Sequence, residues 1–187
     1  MPILKREVDC LPSRLFELSS PWWAAYVRSR QEKGLARHLA QAGVGFYLPQ
    51  TEKRERRAGR TLVSWLPLFP GYVFFRGPAE ARLAALRSNL IVQVLPVHDQ
   101  GRLQQELYSL WRLQVSGVPL VPHSWIGPGD EVEIVDGPFQ GWTGTVLRDK
   151  GRMRLVVSIS LLRQSVAAEL DREVLAPVRP GRMRAAG

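Results

Sequence analysis

The amino-acid sequence predicts an α+β domain, in which helices pack on a mainly antiparallel sheet, followed by a small closed β-barrel. Over residues 21–116 the segments follow the order strand, helix, strands, helix, strand, helix, which is typical of an α+β sandwich. Residues 117–126 are rich in proline and glycine and predict a linker. Residues 127–178 contain five short strand patterns, and closing them into a barrel removes their exposed edges. Residues 1–20 have no clear period and predict a mobile extension, while 179–187 predict a basic tail.

The first domain begins with residues 22–27, whose aromatic content predicts a strand. Ser29 and Glu32 then match a capping box, in which a serine oxygen and a glutamate carboxylate accept from backbone N–H groups at the start of a helix. Gly43 ends that helix as a C-terminal cap. Apolar spacing and β-branched content predict strands at 44–49, 72–75 and 91–95 and helices at 79–87 and 103–111.

The strands of the second domain are predicted mainly from the alternation of residue types along the chain. Apolar and acidic residues alternate at its start, as expected for a half-buried strand. Gly141 and Gly144 permit tight curvature in the strand that contains them. The five strand patterns lie at 130–135, 139–146, 155–161, 166–170 and 174–177.

Charge points to a polyanionic partner for the first domain. The chain of 187 residues has a formal net charge of +9 and a pI near 10.6, which favours such a partner. Residues 1–126 contain 17 Lys/Arg and 9 Asp/Glu, a net +8, whereas residues 127–187 contain 9 and 8, a net +1. The two halves are therefore expected to meet different partners.

Several function classes are excluded by the sequence. No apolar run is long enough to cross a bilayer, and the first twenty residues lack a signal-peptide pattern. Cys10 is the only cysteine, which excludes an intrachain disulfide and a cysteine-based metal cluster. The three histidines His38, His98 and His123 are far apart, and no acid/base pair or phosphate-binding glycine loop is present. We therefore expect a cytoplasmic protein with no membrane contact, enzyme activity, cofactor or metal.

The stretch from Trp65 to Phe75 is the most distinctive in the chain. Pro67 and Pro70 exclude a helix there, Gly71 permits an unusual backbone conformation, and a strand follows. The large apolar side chains around this stiff bend either fill the core or form an exposed patch that marks a partner site.

The basic stretch at residues 52–60 predicts a protruding hairpin tip or loop. It contains five cations and two acids. Such a loop is either a solvated surface or a site of phosphate contact.

Two motifs in one chain resemble a known family. Gly129-Asp130, the stretch from Asp136 to Gly141, and Gly144-Thr145-Val146 resemble a KOW motif. Trp22-Trp23, Tyr26, Arg28 and the stretch from Pro67 to Phe74 are similar to the N-terminal domain of the NusG family. The resemblance covers roughly residues 21–178. It implies an RNP-like domain joined to an SH3-like barrel, in a monomeric transcription elongation or antitermination factor that binds RNA polymerase and suppresses pausing or termination.

The resemblance also implies three sets of site residues. The aromatic bend would bind the clamp helices of the largest polymerase subunit, the basic face would contact non-template or upstream DNA, and the barrel would recruit a ribosomal protein or the termination factor Rho. The polymerase set is Phe69, Pro70, Gly71, Tyr72 and Phe74; the nucleic-acid set is Arg28, Arg37, His38, Lys53, Arg54, Arg56 and Arg57; the KOW partner set is Phe139, Leu161, Leu162 and Arg163.

The sequence departs from the family pattern in the barrel loop. Housekeeping members have Phe-Gly-Arg where this chain has Leu162-Arg163-Gln164, so the freedom of a glycine is lost. The stretch Leu83-Ala84-Ala85-Leu86 also lacks the polar patch by which some paralogues touch the other side of the polymerase cleft. Together with the N-terminal extension, these departures indicate a specialised, RfaH-like paralogue.

Two alternatives remain open at this point. A ribosome- or RNA-binding KOW protein would share the barrel, and a pure adaptor would use the first domain only to dock. The stretch Pro67-Leu68-Phe69-Pro70-Gly71-Tyr72 favours the NusG family over the first alternative, because ribosomal KOW proteins lack it.

Overall fold

The chain divides into two compact units, residues 1–104 and residues 105–187. The boundary falls inside the third helix and not in the predicted linker at 117–126. The computed structural model describes residues 6–57, 59–123, 132–133, 143–149 and 152–170.

The first unit contains a five-stranded antiparallel sheet, a two-stranded hairpin and the helices that pack against the sheet. The sheet order is β1-β3-β6-β2-β7, and the hairpin is β4-β5. In chain order the elements are β1 (Cys10–Leu11), β2 (Trp22–Val27), α1 (Glu32–Gln41), β3 (Gly45–Tyr47), β4 (Gln50–Arg57), β5 (Arg60–Pro67), β6 (Tyr72–Arg76), α2 (Ala79–Leu86) and β7 (Ile91–Leu95), followed by the start of α3 (Gln100–Val115), which continues into the second unit.

One face of this sheet forms the main core with α1 and α2. Val73 and Phe75 of β6 alternate onto that face, where they join Leu35 and Leu39 of α1 and Ala85 of α2 in one buried cluster. The apolar spacing of α1 therefore faces the sheet, as the sequence predicts. The α+β fold class is confirmed.

The opposite face is covered by the first turn of α3, at residues 100–104, and by the N-terminal segment. The Gln100 side-chain amide pairs with both backbone groups of Trp22, accepting from its N–H at 2.8 Å and donating to its carbonyl at 3.1 Å. The Gln104 carbonyl oxygen accepts from the Trp22 indole and, at 2.8 Å, from Arg76. Two glutamines one helical turn apart thus attach α3 to β2 and β6.

Arg76 is buried on this second face without a carboxylate partner among the described residues. Its guanidinium donates to the backbone carbonyls of Ser20 and Leu15 and lies 5.1 Å from the Trp22 ring centre. Loss of hydration on burial lowers the pKa of Arg76. Backbone carbonyls and an aromatic face replace the lost water around this cation.

The second unit contains a five-stranded antiparallel sheet in the order β8-β12-β11-β10-β9. Its alternating residues Leu155, Val157 and Ile159 are buried, as are Val166 and Ala168 on the neighbouring strand. The sequence therefore predicts these two strands correctly. The strands are β8 (Leu120–His123), β9 (Val132–Glu133), β10 (Thr143–Asp149), β11 (Arg152–Ile159) and β12 (Gln164–Leu170), with a single 3-10 turn at Ser160–Leu162 between the last two.

Part of the predicted linker is a strand. β8 lies within residues 117–126 and pairs with β12, with Leu120 opposite Ala168 and Pro122 opposite Val166. Proline is tolerated because β8 is at the edge of the sheet, where one side of the strand needs no donor. Residues 117–126 are rich in proline and glycine, and for that reason the sequence did not predict this strand. The predicted strand at 174–177, the turn at 136–138 and the tail at 179–187 lie outside the described residues.

The N-terminal extension is packed over residues 6–20, contrary to the prediction of a mobile arm. Cys10 pairs with Tyr47 in the sheet, Leu15 is fully buried, and the ring of Phe16 packs against Trp22. The Gln50 side chain accepts from the Glu7 N–H at 3.3 Å and donates to the Glu7 carbonyl at 3.1 Å. None of the described helices is long and apolar enough to cross a bilayer.

We expect the Cys10 thiol to react slowly with iodoacetamide in the folded protein. Burial, with a smaller contribution from Asp9, raises the pKa of Cys10 to about 12, and only the thiolate is nucleophilic. At pH 8 the alkylation rate should fall by roughly two to three orders of magnitude relative to the urea-unfolded chain. Mass spectrometry of the modified chain over time measures this ratio. Equal rates in both states would contradict packing of the N-terminal segment.

Candidate functional site

The bend between β5 and β6 is tied to the neighbouring strand. The Tyr72 N–H donates to the Phe69 carbonyl at 3.0 Å, which closes the turn. The Gly71 carbonyl accepts from the Val27 N–H at 2.8 Å. The turn that leaves β5 is thereby held against the end of β2.

Glycine is required at position 71 for two reasons. Its φ is +87°, in the region that side chains rarely adopt. A Cβ atom there would also lie 3.0 Å from a ring carbon of Tyr26. The backbone at Gly71 can therefore approach the Tyr26 ring only because no side chain intervenes.

Glu32 fixes the bend from the other side of the sheet. Its carboxylate accepts from the Gly71 N–H at 2.7 Å, and its side chain is buried. The capping box predicted for Ser29 and Glu32 is wrong, because α1 starts at Glu32 after a Gln31 N-cap that makes no side-chain cap bond. The backbone turns at Arg30, whose φ is +62°, and the glutamate serves a distant amide instead of its own helix.

Two tyrosines form the exposed part of this region, together with Pro70. Tyr26 and Tyr72 are opposite each other in β2 and β6, with ring centres 5.3 Å apart. Tyr26 is 41% exposed, Tyr72 is half-buried, and Pro70 is exposed. We call Tyr26, Pro70, Gly71 and Tyr72 the bend patch. The sequence did not single out Tyr26 as a binding residue, although alternation along β2 puts it on the same face as Trp22.

Phe69 and Phe74, which the resemblance places in the polymerase set, do not point outward. Both side chains are buried, and their rings meet edge to face with centres 6.1 Å apart. Tyr72, Phe74 and Arg76 alternate on the second face of the sheet; Arg76 and Phe74 are buried, and only Tyr72, next to the bend, is partly exposed. The two phenylalanines are therefore core residues and are not themselves a contact surface in this conformation.

The predicted nucleic-acid residues fall into two groups. Lys53, Arg54 and Arg56 are exposed on β4, and the backbone of Arg57 pairs with Arg60 at the hairpin tip. The basic stretch thus lies on the two strands of a long hairpin and not in a loop.

The second group lies on or beside α1. Arg28 is exposed, and Arg37 forms an ion pair with Glu7 at 2.7 Å. His38 is half-buried, and its Nε2 lies 2.9 Å from the Ala84 carbonyl oxygen. This contact joins α1 to α2, so the structure gives His38 a packing role that the sequence did not predict.

The loop between β11 and β12 carries three of the four predicted KOW partner residues. Leu161 and Leu162 are half-buried in the 3-10 turn, and Arg163 is exposed. Glu106 accepts from the Ser160 N–H at 3.0 Å and caps the turn. Phe139 lies outside the described residues.

Arg163 stands where the family pattern has a glycine, and its backbone adopts the left-handed conformation. Its φ and ψ are 51° and 44°. An arginine in this region costs roughly 1–2 kcal/mol relative to glycine. Among the described residues, no group of three or more His, Cys, Asp or Glu side chains could hold a metal ion.

Comparison with known proteins identifies the family. Residues 20–100 match the family model described as the transcription termination factor NusG. The chain is 32% identical over 133 residues to the transcription termination/antitermination protein NusG of Buchnera aphidicola subsp. Baizongia pistaciae, a match that covers 66% of this chain and 72% of that protein. This chain belongs to the NusG family. The NusG protein of Buchnera aphidicola subsp. Acyrthosiphon pisum is 29% identical over 136 residues, with the same coverage of both chains.

A solved structure is also similar to this NusG-family chain. It is titled "Domain interaction in Thermotoga maritima NusG", with 19% identity, a TM-score of 0.46, and coverage of 83% of this chain and 96% of that chain. The family consists of transcription termination and antitermination factors that are not enzymes, in agreement with the sequence analysis.

We expect Glu32→Ala to destabilise the first unit by about 2 kcal/mol, since it leaves the Gly71 N–H without its charged acceptor. Glu32→Gln keeps an acceptor oxygen of the same reach, so it should cost less than about 1 kcal/mol. Urea unfolding followed by tryptophan fluorescence measures both variants. Equal losses in the two would mean that the carboxylate acts through its charge and not through an acceptor oxygen placed for this hydrogen bond.

Proposed function

We propose that this chain is a transcription elongation and antitermination factor that binds RNA polymerase through the bend patch and suppresses pausing or termination. The observation that carries the proposal is the ring pair of the exposed Tyr26 and the half-buried Tyr72 on a backbone fixed by Gly71 and Glu32. The proposed partner surface is the pair of clamp helices in the largest polymerase subunit.

The aromatic composition of the bend patch suits a rigid helical partner. Aromatic side chains offer large contact area and lose little rotamer entropy on binding. Phe69 and Phe74 are buried in the bend and in β6, and a surface carried by a packed core is pre-organised, which lowers the cost of binding. In this proposal Phe69 and Phe74 support the surface, whereas Tyr26, Pro70 and Tyr72 contact the polymerase.

Basic residues of the first unit are proposed to contact non-template or upstream DNA. Arg28 and the hairpin cations Lys53, Arg54, Arg56 and Arg57 are the candidates, and Arg37 is kept as a candidate despite its ion pair with Glu7. Such contacts are electrostatic and salt-sensitive. His38 is removed from this set because its ring is engaged with the Ala84 carbonyl.

The second unit is proposed to recruit a further partner through its β11–β12 loop, with Leu161 and Leu162 as apolar contacts and Arg163 as a charged one. A ribosomal protein and Rho are the candidates. The left-handed backbone of Arg163 supports retention of the loop shape. Its charged side chain supports a partner choice different from that of housekeeping members, as expected of a specialised paralogue.

We predict that Tyr26→Ala and Tyr72→Ala each weaken binding to core RNA polymerase by roughly thirtyfold, about 2 kcal/mol, because each removes a central aromatic contact. Tyr108→Ala is the matched control, since Tyr108 is equally exposed, at 42%, and is also in a ring pair, with Trp111. Co-purification and a titration with labelled protein measure binding, and a pause-escape assay on the same material measures function.

Three outcomes of this test are informative. Loss of both binding and pause suppression in the two patch variants, with Tyr108→Ala unchanged, supports the proposal. Loss with Tyr108→Ala as well would point to a general effect of aromatic truncation. A wild-type chain that binds RNA but does not co-purify with polymerase would favour the ribosome- or RNA-binding alternative.

A further inference from the structure

Strand β7 extends the row of residues that contains the two tyrosines of the bend patch. Tyr26 is opposite Tyr72 on one side and opposite Gln93 on the other. Residues that face each other across antiparallel strands project from the same side of the sheet. Tyr72, Tyr26 and Gln93 therefore form one row across β6, β2 and β7. Because β7 is at the edge of the sheet, the row ends at Gln93.

A β-bulge in β7 separates Gln93 from the strand residues before it. Gln93 is opposite Tyr26 but Ile91 is opposite Val27, which leaves Val92 without a partner on β2. In a regular strand Ile91 and Gln93 would lie on the same face. Because of the extra residue, Ile91 packs against the main core, whereas Gln93 is on the opposite face with Tyr26. Val92 is left exposed at the edge, and bulges commonly redirect side chains beside functional sites.

The Gln93 side chain offers a donor and an acceptor to a partner. The amides of Gln50, Gln100 and Gln104 all bond to backbone carbonyls of the first unit. Gln93 is exposed, and among the described residues its side chain makes no hydrogen bond. Since an amide group both donates and accepts, Gln93 can bond to a polar side chain of a docked protein without breaking an existing contact.

The width of this row fits a helix better than the two tyrosines alone do. Neighbouring strands are about 4.8 Å apart, whereas an α-helix with its side chains is about 10–12 Å across. The row of three residues spans about 10 Å between its outer strands. It does not continue onto β3, because β3 ends at Tyr47, opposite Phe74. A helix centred on Tyr26 therefore contacts Tyr72 on one side and Gln93 on the other.

We propose that the polymerase-binding surface continues from the bend patch onto β7, where Val92 adds an apolar contact and Gln93 a polar one. The inference rests on the proposed function and extends it, because the partner is the same pair of clamp helices. An aromatic centre with a polar rim is the usual arrangement of a protein interface. The hydrogen bond that Gln93 makes is directional, so it fixes the orientation of the helix on the two tyrosines.

Val92 and Val8 provide a matched pair of variants for the test. They are 60% and 58% exposed, and Val8 precedes β1, which is at the opposite edge of the same sheet. Val92→Asp should weaken binding of the full-length protein to core RNA polymerase roughly tenfold or more, because a carboxylate loses its water in an apolar contact. Val8→Asp changes the net charge equally and should stay within about twofold of wild type. Titration of core polymerase with fluorescently labelled protein measures both.

Gln93→Ala should weaken the same binding roughly three- to tenfold, as expected when one interfacial hydrogen bond is lost. Gln105→Ala is its control, because Gln105 is also an exposed glutamine and is outside the proposed surface. Urea unfolding of each variant checks that the fold is retained.

Cross-linking tests contact at position 92 without relying on an affinity. A photoreactive benzophenone amino acid in place of Val92 should cross-link to the largest polymerase subunit, whereas the same group in place of Val8 should not. This cross-link, together with weaker binding of Val92→Asp and Gln93→Ala than of their controls, supports the inference.

Two results would overturn the inference and leave the proposed function intact. One is equal affinity of Val92→Asp and Val8→Asp with no cross-link from position 92. The other is loss of affinity in Tyr26→Ala and Tyr72→Ala while both β7 variants bind as wild type does. A wild-type chain that does not bind core polymerase would overturn the inference and the proposed function together.

Discussion

The hydrogen bond from the Gly71 N–H to the Glu32 carboxylate links three elements of the first unit at one point. Glu32 begins α1, Gly71 precedes β6, and the Gly71 carbonyl accepts from Val27 at the end of β2. The positive φ of Gly71 lets the backbone lie directly against the Tyr26 ring. A shift of the backbone at Gly71 would move both Tyr26 and Tyr72. The shape of the bend patch therefore depends on a single glycine and on the buried carboxylate that accepts its N–H.

The two faces of the first sheet explain why the exposed patch is small. One face is filled by α1 and α2, and the other is covered from the Arg76 end by Gln104 and the N-terminal segment. Only the end nearest the bend is left open, where Tyr72 and Tyr26 project. Because the rest of this face is covered, Phe74 stabilises the sheet but offers no contact area to a partner.

Local sequence patterns predicted the strands and helices well, but they predicted poorly which residues pack against them. The bounds of β2 and β7 were predicted correctly because aromatic and β-branched residues are concentrated there. The exposure of Phe69 and Phe74 was predicted wrongly because alternation shows which residues share a face but not what covers that face. Packing of the N-terminal segment was missed because it depends on long-range partners, such as Gln50 for Glu7, that no local period reveals.

The central claim is that Tyr26, Pro70, Gly71 and Tyr72 form the surface that meets RNA polymerase. Hydrogen–deuterium exchange of the full chain, with and without core polymerase, tests it without altering any residue. We expect polymerase to slow exchange at the amides of Gly71, Tyr72 and the facing end of β2, while those on α2 keep their rates. Unchanged exchange around the bend, with slowing confined to another part of the molecule, would contradict it.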